Sequence, residues 1–237
     1  MLPGLSSAPR WRTTIDVVAS LTVFADGNSR AVLVGAMAVP ATAVLAVTAP
    51  EPGPMSWHMA IHIAAMNVAA PVAAVMAARA GWTRAWARPQ ALWAATIVQL
   101  IVLWAAHSPF IHDGMQTFAV AAVAVHVLLL LAALTFWLSL VAAETHKWQA
   151  MLALLVSGKL ACLLGVLLIF APRPLFAGHG AHHDHGAALA DQHLAGLLMV
   201  AACPLSYVLT AVVLAAQAIG GRDPTPSLPI AEAPGGR

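Results

Sequence analysis

Residues 118–142 read FAVAAVAVHVLLLLAALTFWLSLVA, a run of 25 without a single Lys, Arg, Asp or Glu. A helix needs about 20 mostly apolar residues to cross the hydrocarbon core of a bilayer. This run is long enough, and it contains no Pro or Gly to interrupt a helix. Its one ionisable group is His126. That residue stands eight positions in, about 12 Å deep at roughly 1.5 Å of rise per residue.

Five further runs have the same character: 31–49, 57–78, 91–107, 150–171 and 192–219. Residues 15–25 (IDVVASLTVFA) are too short to span and suit a surface helix or part of a broken first helix. The expected fold is therefore an all-α, polytopic membrane bundle of six or seven transmembrane helices. An N-terminal cytoplasmic or interfacial segment (1–30) precedes the bundle (31–219), and a Pro/Gly-rich tail (220–237) is expected to be disordered. Composition agrees: the 237 residues are 61% hydrophobic and 8% charged, with a mean hydropathy of +0.83. A soluble domain carries about 25% charged residues.

The loops set the expected orientation. Arg10, Arg12, Arg30, Arg79, Arg84, Arg88, Lys147, Arg222 and Arg237 fall in the termini and the even-numbered loops. The odd-numbered loops hold only Arg173. The positive-inside rule then places both termini of a six-span chain in the cytoplasm. The scattered basic residues make no nucleic-acid patch. Nothing resembles a Walker loop, a dinucleotide fingerprint or a nucleophile elbow, so an enzyme is not expected. Cys162 and Cys203 lie in apolar runs and do not form a disulfide framework.

The histidines are distributed unevenly. Of the eleven, only His146 falls on the cytoplasmic side; ten fall on the outer face or in the outer half of a span. His58 and His62 open the second run, in SWHMAIHIAAM (56–66). Residues three and four apart share a helix face, so Met55, His58, His62 and Met66 form one stripe, with Met59 beside it. Imidazole suits copper and zinc, and thioether favours Cu(I). Intramembrane ionisable groups are functional candidates by default. His107 and His126, on other helices, would complete a copper site at the outer face. Simple packing of the methionines, and hydrogen bonding of a lone His to a neighbouring helix, are the plain alternatives.

The loop GHGAHHDHG (178–186), with His179, His182, His183 and His185, would collect metal loosely. His193 opens the last run. Gln99, on the face of His107, could hydrogen-bond a metal ligand. Lys159, inside the fifth run, needs a partner such as Asp191 or Glu144, or a path to snorkel. Pro71 and Pro40 should kink their helices.

Several of these segments together resemble the CtaG-type (caa3-type) cytochrome c oxidase assembly factors. They are HMAIHIAAMNVAAPVAAV (58–75), WAAHSPFIHDGM (104–115), HVLLLLAALTFWLSL (126–140), LLGVLLIFAPRPLF (163–176) and DQHLAGLLM (191–199). The resemblance runs in order over roughly 55–215. It implies a multi-pass protein of the bacterial inner membrane that helps mature haem-copper oxidase by handling copper. Cytochrome c oxidase subunits would be its partners, with a periplasmic copper chaperone a further one. On this resemblance His58, His62, His107 and His126 occupy the family's histidine positions, and Asp191 and Gln192 its acidic motif. Two other functions fit the residues. One is an electron-transfer protein holding haem b between a pair such as His62 and His126. The other is a metal-free structural partner of an oxidase.

Overall fold

The computed structural model describes residues 28–36, 53–143, 146–176 and 185–220. Every long element is a helix, and no strand occurs among the described residues. Residues 28–36 form α1. Pro54–Arg79 is α2, Pro89–Ala106 is α3 and the short Pro109–Thr117 is α4. Ala119–Ala142 is α5, Lys147–Phe170 is α6 and His185–Gly220 is α7. Proline opens α2, α3 and α4, where its missing N–H would have had no helical partner and its φ is already set.

Five of these helices (α2, α3, α5, α6 and α7) are long and apolar enough to cross a membrane. They carry the last five of the expected runs. Most of the first run (37–49) lies outside the described residues, as do segment 15–25, Pro40 and the tail beyond 220. The largest boundary correction is at α7. It starts at His185, seven residues before the apolar run at 192. His185 therefore lies in a helix rather than a loop, and His193 lies about two turns farther along it. Ala-rich residues 187–190 propagate a helix that hydropathy alone does not register.

Contacts order the helices. α6 and α7 pack as an antiparallel pair along most of their length; the first half of α2 lies on α7, and its second half on α5. α3 touches both α5 and α6. The α6–α7 approach depends on two glycines. A Cβ on Gly165 would meet Val200 and the Gly196 carbonyl, and one on Gly196 would meet the Gly165 carbonyl at 2.7 Å. Small residues let membrane helices close to this distance. At the centre, the Trp137 and Tyr207 rings stack 5.4 Å apart. The outward faces remain apolar, as at Val123, Leu128 and Leu131 of α5.

Pro71 disturbs α2 in a specific way. It has no N–H for the Asn67 carbonyl, and residues Ala65–Ala69 widen into a π-helical turn just before it. Inserted turns of this kind often mark functional segments of helices. Trp137 Nε1 donates to the Met66 carbonyl at 2.8 Å within this turn.

The two ends of the bundle differ. Asn28 Nδ2 donates to the Leu140 carbonyl at 3.1 Å, so α1 begins where α5 ends. At the opposite end α2, α5 and α7 begin and α3 ends. There Gly53 caps α2 without a side chain of its own. The Asp191 carboxylate fills the gap, accepting from Met55 N at 2.8 Å and Ser56 N at 3.0 Å. A Cβ on Gly53 would collide with that carboxylate. The next residue of α7, Gln192, receives a hydrogen bond from Leu175 N at 2.7 Å and donates to the Leu168 carbonyl at 3.1 Å. Asp191 thus pins α2 to α7, and Gln192 pins the end of α6 to α7.

Charge-assisted bonds of this kind contribute about 1.5–3 kcal/mol each. Asp191→Ala and Gly53→Ala should each lower the thermal midpoint of the detergent-purified protein. The double variant should cost less than the sum, because removing the carboxylate also removes the collision. Additive losses would show that the two residues do not meet.

Candidate metal centre

Three helices converge on one group of imidazoles. His58 and His62 come from the first turns of α2, His107 caps the C-terminus of α3, and His126 lies in the second turn of α5. The ring centroids of His58 and His62 are 4.2 Å apart, those of His58 and His126 4.9 Å, and those of His62 and His126 4.6 Å. His107 stands on the far side of His62, with centroids at 5.8 Å. Three ligand nitrogens, one each from His58, His62 and His126, lie within 4.8 Å of one another. Around a tetrahedral ion with bonds near 2.0 Å, such nitrogens stand roughly 3.4 Å apart. A side-chain adjustment of about an ångström separates the two arrangements.

The carbonyls one turn back fix the tautomers of two rings. His126 Nδ1 lies 2.6 Å from the Ala122 oxygen, and His107 Nδ1 lies 2.7 Å from the Leu103 oxygen. A carbonyl oxygen can only accept, so each Nδ1 carries the proton and donates it, and each Nε2 keeps its lone pair for another partner. Backbone support of this kind orients metal-binding imidazoles. His62 is in a different position. It is buried, and neither ring nitrogen has a hydrogen-bond partner among the described residues. A buried polar group without a partner costs about 1–3 kcal/mol, and an ion coordinated by the cluster would remove that cost.

The thioethers are arranged differently from the expected stripe. The inward face of α2 consists of Met59, His62, Ile63, Met66 and Asn67, which line a cavity of about 20 Å3 with His107, Met199 and Cys203. Met59 Sδ is 3.4 Å from His107 Nε2. Met59 also belongs to an apolar cluster with Leu168 and Ala195, against which Met55 and Phe176 pack; Met59 lines the cavity, and Met55 is not among its lining residues. His62 and Met66 belong to both faces. Spacing alone could not show which of the two overlapping stripes points inward.

The accessory candidates take other places. Both Asp191 oxygens are engaged by backbone amides, and Gln192 bridges backbone groups. His193 has a buried Nε2 with no hydrogen-bond partner among the described residues. His179, His182 and His183 lie outside the described residues, as does Glu144. Lys159 is exposed on the surface of α6. Gln99 lines the cavity and donates to the Tyr207 hydroxyl, not to an imidazole. The sequence reading missed Met199 and Tyr207 as cavity residues. It also missed the cap, although Gly53–Pro54 opening a membrane helix with no local acceptor signals that one must come from elsewhere.

Fold and site define a polytopic α-helical membrane protein with a histidine centre at one end of the bundle. The model of the cytochrome c oxidase caa3 assembly factor family (Caa3_CtaG) matches residues 8–220. The chain belongs to that family. No curated protein and no solved structure matches it.

The burial order is testable with diethylpyrocarbonate, read by peptide mass spectrometry. The half-buried His58 and His126 should be modified before the buried His62 and His107. Earlier modification of His62 than of His58 would contradict this packing.

Proposed function

We propose that this chain assists assembly of haem-copper cytochrome c oxidase by binding copper at the outer face of the membrane and handing it to an oxidase subunit. The observation that carries the reading is the convergence of His58, His62 and His126, from two helices, with ligand nitrogens within 4.8 Å. Family membership supplies the oxidase as the partner. Three imidazoles leave coordination positions open, as at sites that exchange a ligand and unlike closed four-ligand structural sites. An incoming chaperone or oxidase ligand could take such a position. Delivery by a periplasmic copper chaperone and a location in the bacterial inner membrane belong to the same proposal, as does the orientation with this end outward. The role is transfer without chemical turnover.

Haem b between His62 and His126 has less support. Two axial bonds of about 2.0 Å on opposite faces of a porphyrin hold the imidazole centroids farther apart than the 4.6 Å found here. The metal-free structural role makes a distinct prediction, and one experiment separates it.

Metal content and visible spectrum are measured on the detergent-purified protein and on a His58→Ala/His62→Ala variant. The variant is also tested for oxidase activity in a deletion strain. Roughly one copper ion per chain, as one set of three ligands implies, should be lost in the variant together with oxidase activity. A variant that restores full oxidase activity would overturn the copper role in favour of the structural one, and a Soret band would replace it with haem.

A further inference from the structure

Behind the three-histidine cluster is a second set of donor atoms. His107 Nε2, with its lone pair, faces Met59 Sδ at 3.4 Å. A thioether sulfur has no proton to donate. Two electron-pair donors therefore point at each other with no hydrogen between them. Bonds of about 2.0 Å to nitrogen and about 2.3 Å to sulfur would let one ion join them at an angle near 105°. That lies close to the tetrahedral angle, so these two atoms already have the spacing of ligands to a common ion. The cavity beside them, about 20 Å3 in volume, has room for an object the size of a water molecule or an ion.

The surroundings change across the cluster. His58 and His126 are half-buried. His62, His107 and Met59 are 5%, 8% and 1% exposed. The donor set changes in the same direction, from imidazole alone to imidazole with thioether, and the cavity continues past Met66 and Met199. His62 lies between the two sets, next to His126 on one side and His107 on the other.

We infer that His107 and Met59, with His62 as third ligand, form a deeper coordination position selective for the cuprous ion. A single ion passes between it and the outer position of His58, His62 and His126. The inference rests on the copper reading above and adds to it an oxidation state and a direction. Passage is ligand exchange. The bonds to His58 and His126 break, bonds to Met59 and His107 form, and His62 is common to both positions. The ion stays Cu(I) throughout, and no electron or proton is transferred. Zn(II), which has less affinity for thioether, remains at the outer position. One ion per chain is expected in either case, because the positions share a ligand.

X-ray absorption of the full-length protein, loaded anaerobically with one equivalent of Cu(I) or of Zn(II), tests this without any variant. The Cu(I) shell should contain a sulfur near 2.3 Å, and the Zn(II) shell only nitrogen or oxygen near 2.0 Å. Met59→Leu should remove the sulfur and weaken Cu(I) binding by about tenfold or more, with little change for Zn(II). His58→Ala/His126→Ala should lose Zn(II) and keep a sulfur-containing Cu(I) shell. A Cu(I) shell of nitrogen alone in the wild-type protein overturns the deeper position and leaves the outer site standing. Sulfur retained in Met59→Leu also overturns it. A wild-type protein that takes up no Cu(I) overturns both readings.

Discussion

A carboxylate that accepts two backbone amides holds the histidine helix in place. The first turn of any helix leaves N–H groups without internal acceptors, and inside a bilayer no water satisfies them. Gly53 and Pro54 cannot supply an acceptor side chain. Asp191 of α7 does so from 136 residues away, and its negative charge also suits the positive end of the α2 dipole. The position of His58 and His62 relative to the rest of the bundle follows from this contact. Gln192, the next residue, fixes the end of α6 to the same turn of α7. The Asp-Gln pair is thus an anchor at the histidine end, and its polar atoms are used in holding backbone.

The same lack of water governs the middle of the bundle. Asn67, widened into the inner face by the π-helical turn, donates to Cys203 and accepts from Ser206 at 2.8 Å. Gln99 donates to Tyr207, whose ring stacks on Trp137, and Trp137 donates to the carbonyl of Met66. These contacts tie α2, α3, α5 and α7 together through side chains with specific partners on neighbouring helices. Apolar surface alone gives membrane helices little preference for one register over another, and the paired polar groups supply it.

The histidine centre differs from this network in its chemistry. His107 and His126 have their Nδ1 protons committed to carbonyls, while both buried nitrogens of His62 have no hydrogen-bond partner among the described residues. Buried polar atoms without a partner among the described residues also occur at Asn28, Gln99, Gln149, Ser157, His193 and Gln217, so what marks this place is the meeting of several imidazoles. The imidazoles are rigidly oriented by their own helices and drawn from three of them, so small helix movements alter the spacing between donors. That combination suits a site which must release what it binds.

The amino-acid sequence by itself determined the class of protein, the last five membrane-crossing runs, the family resemblance and the grouping of His58, His62, His107 and His126 at one end. Each is legible because it depends on hydropathy over a helix length, or on where a residue falls along a span. Which histidines meet, which methionine joins them and what Asp191 does were decided only in the tertiary structure. Helical spacing allowed both Met55 and Met59 as companions of His62, since each shares a face with it. The rotation of α2 about its axis selected Met59, and that rotation is set by its packing on α7 and α5. Asp191 read as part of an acidic motif or as a partner for Lys159, because an isolated acidic residue beside an apolar run carries no sign of which amides it will meet. The helical state of His185–Ala190 was hidden for a related reason: hydropathy marks where a chain enters lipid, whereas a helix extends beyond that point by backbone propensity.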